Sequence, residues 1–215
     1  TMDLDTTLRN LPLTEEKVME AVENICKITL GDDVIFEVKS IAPIRKDDRY
    51  GGFCVRLDAI YDTIVTPLSI DVSTGDVITP EAVEYEFSGI FDEEIRIKMW
   101  GYNIESVMAE KVETILSRGI FNTRPRDFYD VYSIMSFYGE QIEKRILYDA
   151  FSATCEKRKT IFSKDNIEAT LHLISDDLQM EELWAQFQKS NFYVGDLAWK
   201  NVIGYVESTM KKYLL

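Results

Sequence analysis

The sequence predicts an α+β protein in which an N-terminal mixed or antiparallel sheet with helices precedes an all-helical C-terminal part. Before residue 101, several short segments alternate between apolar and polar residues, as strands with one buried face do. After Asn103, apolar residues recur every three or four positions and no further strand pattern appears. We therefore expect two domains, 1–101 and 102–215, with the joint at residues 101–103.

The first part begins with one helix, and strands follow it. Thr14 is a candidate N-cap for a helix over 14–29, and the residues 31–33 (Gly-Asp-Asp) break that helix. Four strands are then predicted, over 34–41, 53–61, 64–72 and 94–100. Since most of them are close neighbours in sequence, we expect a largely antiparallel or mixed sheet.

The second part is predicted to be helical throughout. Its candidate helices span 104–118, 127–138, 140–156, 163–175, 177–190 and 196–213. Aromatic residues of the last helices are spaced like core residues: Trp184, Phe187, Phe192, Tyr193, Trp199 and Tyr205.

Composition narrows the possible function. The 215 residues include 46% hydrophobic ones, which suffices for a core, and no stretch approaches the length of a membrane span. The N-terminus carries aspartates rather than a basic and apolar run, so we expect no signal peptide. Three widely spaced cysteines fit reduced thiols of a cytoplasmic protein, and a single histidine leaves little material for histidine chemistry.

Charge is unevenly distributed along the chain. The net charge of −14 disfavours extensive wrapping by nucleic acid. Between residues 111 and 159, however, nine Lys/Arg face seven Asp/Glu. A ligand that carries phosphate is therefore expected near this middle segment.

Two aspartates stand at the start of the chain. If this segment is extended, Asp3 and Asp5 point to the same face, because side chains alternate along a strand. Two adjacent carboxylates repel each other unless a cation lies between them, and Mg²⁺ commonly takes one or two carboxylates plus substrate phosphates. A D-x-D pair by itself is weak evidence, because it occurs by chance in many surface loops, and for the isolated motif that interpretation is favoured.

A third carboxylate, Asp71, lies in an otherwise apolar strand. Its neighbours Ile70 and Val72 would point to one face and Asp71 to the other. An acid inside a buried strand needs a partner, a hydrogen bond or a metal ion. A position at a sheet edge or a cap of the following turn is the equally weighted alternative.

The helix over 104–118 carries two cations within its apolar stripe, Lys111 and Arg118. A cation on a packed face needs an anionic partner from the protein or a ligand, which we favour for Lys111. The alternative is snorkelling, with buried stems and solvated head groups; Arg118 would also suit the helix C-terminus.

An R-D-x-x-D segment opens the next helix. Asp127 and Asp130 share a face with apolar residues, so both acids point toward packing. We expect at least one of them to belong to an internal ion-pair network with Arg118 and Arg126. The basic run 156–159 is interpreted as a solvated helix end.

These motifs, in this order, resemble those of a known family. D-x-D, the strand acid in Ile-Asp-Val at 70–72, A-E-K-x-x-x-x-x-x-R at 109–118 and R-D-x-x-D at 126–130 look like the AbiEii/AbiGii abortive-infection toxin family of nucleotidyltransferases, within the DNA polymerase β-like superfamily. The resemblance covers about Asp3 to Ile134. It implies a nucleotidyltransferase-like sheet in the first domain.

The resemblance also implies roles. Asp3, Asp5 and Asp71 would bind Mg²⁺, and Asp71 would help activate the attacking hydroxyl. Lys111 would contact the triphosphate, with Arg118 and Arg126 as further substrate-binding residues. Asp127 or Asp130 would fill the acidic position after the lysine. The implied partners are a nucleoside triphosphate, tRNA as an acceptor and a cognate antitoxin, in toxin–antitoxin or phage-defence systems.

One family element is missing from the sequence. The Gly-Gly or Gly-Ser loop that holds phosphates precedes the D-x-D motif in the family, whereas this sequence begins at Thr1, directly before that motif. We therefore expect an N-terminally incomplete domain, which puts the activity of the chain as it stands in question. The alternatives are a phosphotransferase acting on protein hydroxyls and a non-catalytic module that binds nucleotides or a partner.

Overall fold

The computed structural model describes residues 3–9, 12–44, 51–89, 92 and 94–215, apart from the side chain of Asp3. Its contacts divide the chain into two compact units, Thr1–Asp76 and Val77–Leu215. The predicted α+β class is confirmed. No helix in the described ranges combines the length and the apolar character that crossing a membrane requires.

The first unit is a four-stranded mixed sheet with one helix. Its elements are β1 (Asp3–Leu8), α1 (Glu15–Cys26), β2 (Ile35–Pro43), β3 (Phe53–Tyr61) and β4 (Ile64–Thr74). The strand order is β1-β4-β3-β2, in which β1 runs parallel to β4 and the other pairs are antiparallel. Because β1 pairs with β4, its residues lie in the sheet next to Asp71.

One face of this sheet forms the core of the first unit. Val18 and Val22 of α1 are buried together with Val55, Leu57 and Val72 of the sheet. Thr14 caps the helix by accepting a hydrogen bond from the backbone N–H of Lys17, as predicted. Since side chains alternate along a strand, the residues between these apolar positions lie on the opposite face.

The second unit begins with a hairpin and continues as helices. The hairpin joins β5 (Val83–Ser88) to β6 (Arg96–Gly101). The strand predicted over 94–100 therefore pairs with β5, which the sequence analysis did not identify, and not with the main sheet. The contact boundary falls before this hairpin, whereas the predicted domain joint follows it.

Six helices follow the hairpin: α2 (Ile104–Arg118), α3 (Pro125–Tyr138), α4 (Lys144–Arg158), α5 (Lys164–Asp176), α6 (Leu178–Ser190) and α7 (Trp199–Tyr213). Their buried apolar faces form one cluster that includes Trp184 and Trp199. Phe192, Tyr193 and Tyr205 are 95%, 48% and 38% exposed and do not belong to this core, contrary to the prediction. Phe192 and Tyr193 lie in a short 3₁₀ turn between α6 and α7.

Candidate active site

The polar face of the four-stranded sheet brings two of the predicted carboxylates side by side. Asp5 of β1 is the register partner of Asp71 of β4 in the parallel pair. Register partners on neighbouring strands, about 4.8 Å apart, present their side chains to the same face. Asp5 is exposed and Asp71 half-buried, while Val72 beside it is buried on the helix-packed face. Asp71 thus points away from the core, on the polar side of its strand.

The backbone of Asp3 also lies in β1, where it pairs with Ser69. Its side chain lies outside the described part of the structure. The prediction that Asp3 and Asp5 present their carboxylates together therefore stays a prediction.

A thiol adjoins Asp71 on its other side. Cys54 of β3 is the antiparallel register partner of Asp71, so the order across three strands is Asp5, Asp71, Cys54. A hydrogen bond to Asp71, together with burial and the negative charge of Asp71, raises the pKa of the Cys54 thiol, and the charge of Arg56 opposes this shift. The carboxylate of Asp71 therefore favours the neutral form of the Cys54 thiol.

Hydroxyl groups tie β1 to β4 beyond the carboxylates. Thr7 Oγ1 lies 3.0 Å from Ser73 Oγ, and both hydroxyls donate to the carboxylate of Asp76. Thr6 donates its hydroxyl to the backbone oxygen of Asp71 at 3.1 Å. These cross-strand bonds fix the register that places Asp5 beside Asp71.

In the second unit, Lys111 meets both acids of the R-D-x-x-D segment. Its ammonium nitrogen lies 3.2 Å from Asp127 Oδ1 and 2.7 Å from Asp130 Oδ2. The Lys111 side chain is 23% exposed and that of Asp127 only 1%. The anionic partner favoured for Lys111 thus comes from the protein, and the Lys111 side chain as a whole is partly exposed.

The ion-pair network differs from the predicted one in its cations. The second cation at Asp127 is Arg124, whose Nε lies 3.1 Å from Oδ2, although no described residue directs a hydrogen bond to that oxygen. Arg126 lies 3.9 Å from Asp130. Arg118 pairs with neither acid among the described residues, because α2 and α3 bring Lys111 to the start of α3 instead.

The basic run at the end of α4 is only partly a solvated helix end. Arg158 donates to the carboxylate of Glu113, which is buried in α2, and to Thr114 Oγ1 at 2.9 Å. Its side chain therefore joins α4 to α2. The sequence analysis did not single out Glu113, so its burial against another helix was not foreseen.

The donor set at the sheet suits a hard divalent cation. Carboxylate oxygens such as those of Asp5 and Asp71 are ligands that Mg²⁺ prefers. Within the described side chains, no group of three potential ligands is arranged to hold a metal ion. The carboxylate of Asp3 is not among those side chains, so a site of three aspartates stays a prediction.

Comparison with solved structures supports the fold. The chain is similar to JHP933 from Helicobacter pylori, with a TM-score of 0.50 and 15% sequence identity over 99% of this chain and 75% of that one. At this identity the likeness shows the fold alone. A comparison with curated proteins finds no match.

A family model decides the relationship. The model described as nucleotidyl transferase AbiEii toxin, type IV TA system, matches residues 1–204. The chain belongs to the AbiEii family. This confirms the resemblance drawn from the motifs and extends it over the C-terminal helices, beyond the segment that ends near Ile134.

Within this AbiEii-family chain, the predicted residues fall into two groups. Asp5 and Asp71 adjoin in the first unit, while Lys111, Asp127 and Asp130 adjoin in the second. Their convergence in one cleft stays a prediction. The sequence analysis did not single out Cys54, because only the register of β3 with β4 places it on the face of Asp71.

Proposed function

We propose that this chain is a Mg²⁺-dependent nucleotidyltransferase toxin that transfers a nucleotide from a nucleoside triphosphate to an acceptor hydroxyl, with tRNA as the acceptor class. Membership of the AbiEii family supports the reaction type and the toxin–antitoxin context, which also implies an antitoxin partner. The observation that carries the proposal is the register of Asp5 beside Asp71 on the polar face of the sheet.

The carboxylates account for the metal dependence. Asp5 and Asp71, with Asp3 as a third ligand, would hold Mg²⁺, and the bound ion would supply charge neutralisation for the phosphates. Hydrogen bonds from Thr6 to the Asp71 backbone, and from Thr7 and Ser73 to Asp76, hold the two strands in place before substrate arrives. A site that is ordered in advance loses less free energy to reorganisation during the reaction.

Asp71 has a second role in the proposal. In nucleotidyl transfer the acceptor oxygen bonds to the α-phosphorus, the bond to pyrophosphate breaks, and the hydroxyl proton must be accepted. A half-buried carboxylate next to the metal is suited to orient that hydroxyl and take its proton. No histidine is required, in agreement with the single histidine of the chain.

Lys111 would provide positive charge for the triphosphate. Asp127 and Asp130 both pair with its ammonium, so its position is set by one buried and one partly buried carboxylate rather than by a flexible surface contact. An ammonium group with three donors can retain the two carboxylates and still donate to a phosphate oxygen. In this proposal Asp127, which is fully buried, positions Lys111 and does not contact substrate.

Two labels on the nucleotide distinguish nucleotidyl transfer from phosphoryl transfer. We expect label to appear on tRNA from an α-labelled triphosphate and not from a γ-labelled one, with each of the four nucleotides tested. Asp71→Ala and Lys111→Ala should abolish transfer, while Asp58→Ala, an acid of the same sheet that pairs with Lys39 at 3.3 Å, should retain it. Label from the γ position, or full activity of Asp71→Ala, would contradict the proposal.

A further inference from the structure

Arg56 lies on the same face of the sheet as the two carboxylates. On β3 the side chains alternate, with Val55 and Leu57 buried against α1 and Cys54 and Arg56 on the opposite face. Arg56 is the register partner of Ser69, which precedes Asp71 by two residues on β4 and therefore shares its face. The Arg56 side chain is therefore attached one strand away from Asp71 and two residues along the sheet from it.

Cys54 lies between Arg56 and Asp71 in the register of this face, because it precedes Arg56 by two residues on β3 and is the register partner of Asp71. A hydrogen bond to Asp71 raises the pKa of the Cys54 thiol, and the positive charge of Arg56 opposes this shift. The register thus places a cation near Asp71 on the same face of the sheet.

A neighbouring cation of the same sheet is already matched by acids. Lys39 lies 3.0 Å from Glu37 and 3.3 Å from Asp58, and hydrogen bonds to these two carboxylates raise its pKa. Arg56, by contrast, is exposed and makes no ion pair within the part of the chain that the structure describes. Its planar fork of N–H donors therefore keeps the capacity to bind an anion bidentately.

We propose that Arg56 is a phosphate-binding residue that holds a phosphate group of the substrate beside the Asp5–Asp71 carboxylates. The ligand class is a phosphate mono- or diester, from the triphosphate of the nucleotide or from the backbone of the acceptor. The inference rests on the proposed function, which places phosphates at this face. Two adjacent carboxylates repel a phosphate unless positive charge lies nearby. In this proposal Arg56 supplies positive charge for the phosphate in addition to that of the metal ion.

Equilibrium binding tests this role without requiring turnover. Wild type, Arg56→Gln, Arg56→Lys and the matched control Lys39→Gln are titrated with magnesium tripolyphosphate by calorimetry and with a single-stranded RNA oligonucleotide by fluorescence anisotropy. Since a hydrogen bond to a charged group is typically worth a tenfold change in affinity or more, Arg56→Gln should weaken one of the two ligands by about tenfold. Arg56→Lys should restore part of the loss, because it keeps the charge without the fork.

The ligand that loses affinity identifies the source of the phosphate. Lys39→Gln should change neither affinity by more than about twofold, since the ammonium of Lys39 is already paired with two carboxylates. The inference would be overturned if Arg56→Gln bound both ligands as tightly as wild type does. It would also be overturned if Lys39→Gln lost as much affinity as Arg56→Gln, or if wild type bound neither ligand. Because Arg56 is exposed, both of its variants should show the thermal unfolding of wild type.

The outcomes separate this inference from the proposed function. If wild type transfers no nucleotide but Arg56→Gln loses tripolyphosphate or RNA binding, the phosphate site stands and the proposed reaction is wrong. If transfer occurs and Arg56→Gln binds both ligands normally, the reaction stands and the role of Arg56 is wrong.

Discussion

Replacing Arg158 by alanine tests the ion pair that joins α4 to α2. Glu113 is 1% exposed, so removing its guanidinium partner leaves a buried carboxylate without that compensation. Breaking a buried ion pair costs about 3–5 kcal/mol. The Arg158 side chain is 38% exposed, and solvent screening reduces the expected loss to about 2 kcal/mol. For a chain of this length that corresponds to a fall in melting temperature of about 4–8 °C.

Tryptophan fluorescence during urea unfolding measures this loss in the unit that contains the pair. The three tryptophans, Trp100, Trp184 and Trp199, all lie in the second unit, so their emission reports that unit. Arg145→Ala is the matched control on the same helix, because the Arg145 side chain is 91% exposed and lies 3.9 Å from Asp149.

A second variant separates the buried charge from lost packing. Glu113→Gln in the Arg158→Ala background replaces the buried carboxylate by a neutral amide and should recover part of the stability. If Arg158→Ala is no less stable than Arg145→Ala, the ion pair does not stabilise the helical unit and the reasoning is refuted. If the double variant recovers nothing, the loss comes from packing of the arginine stem.

Three further outcomes are expected. Ile115→Ala, at a fully buried position of α2, should lose about 3 kcal/mol in urea unfolding, and a loss under about 1 kcal/mol would contradict its place in the core. Asn103→Ala should lose about 2 kcal/mol because Asn103 caps α2 and donates to the backbone oxygens of Thr79 and Glu81. Asn103→Asp keeps the cap but turns an acceptor oxygen toward those two backbone oxygens, so it should lose at least as much; a stability of Asn103→Asp equal to that of wild type would refute the role of the donors. Burial raises the pKa of the Cys155 thiol, so its alkylation should stay slower than that of a denatured control as pH rises through about 9, and the stability that the neutral thiol contributes should decline above that pH. Mass spectrometry after iodoacetamide treatment measures the rate, and equal rates in the folded and denatured chain would contradict the burial.

The helical half follows closely from its sequence. The predicted bounds of α2 agree with the observed Ile104–Arg118, because Asn103 caps its start and apolar residues repeat through the whole segment. The other predicted helices differ from the observed ones by a few residues at their ends, where capping rather than the apolar pattern sets the boundary.

The pairing of the strands was predicted less accurately from the sequence. β5 alternates Val83, Tyr85 and Phe87 with polar residues, and this pattern was present but not identified. The parallel pairing of β1 with β4 joins segments more than 60 residues apart, and a single sequence carries no local signal for such a contact. Local patterns predict which residues share a face, whereas partners across the sheet depend on the whole fold.

The sequence likewise predicted the residues of the candidate site better than the contacts between them. The motif order and the family resemblance singled out Asp5, Asp71 and Lys111, because residue type and spacing suffice for that. That Asp127 pairs with Lys111 and Arg124 rather than Arg118 depends on the approach of α3 to α2. Arg56 and Cys54 became candidates only through their register with β4.

Binding of Mn²⁺, followed by electron paramagnetic resonance, tests the central claim that Asp5 and Asp71 form a divalent-cation site. Mn²⁺ shares the oxygen ligands of Mg²⁺ and is observed directly. We predict that wild type binds Mn²⁺ and that Asp5→Asn and Asp71→Asn each weaken binding by about tenfold or more, while Asp58→Asn on the same sheet leaves it unchanged. Equal Mn²⁺ affinity in wild type and Asp71→Asn would contradict the claim.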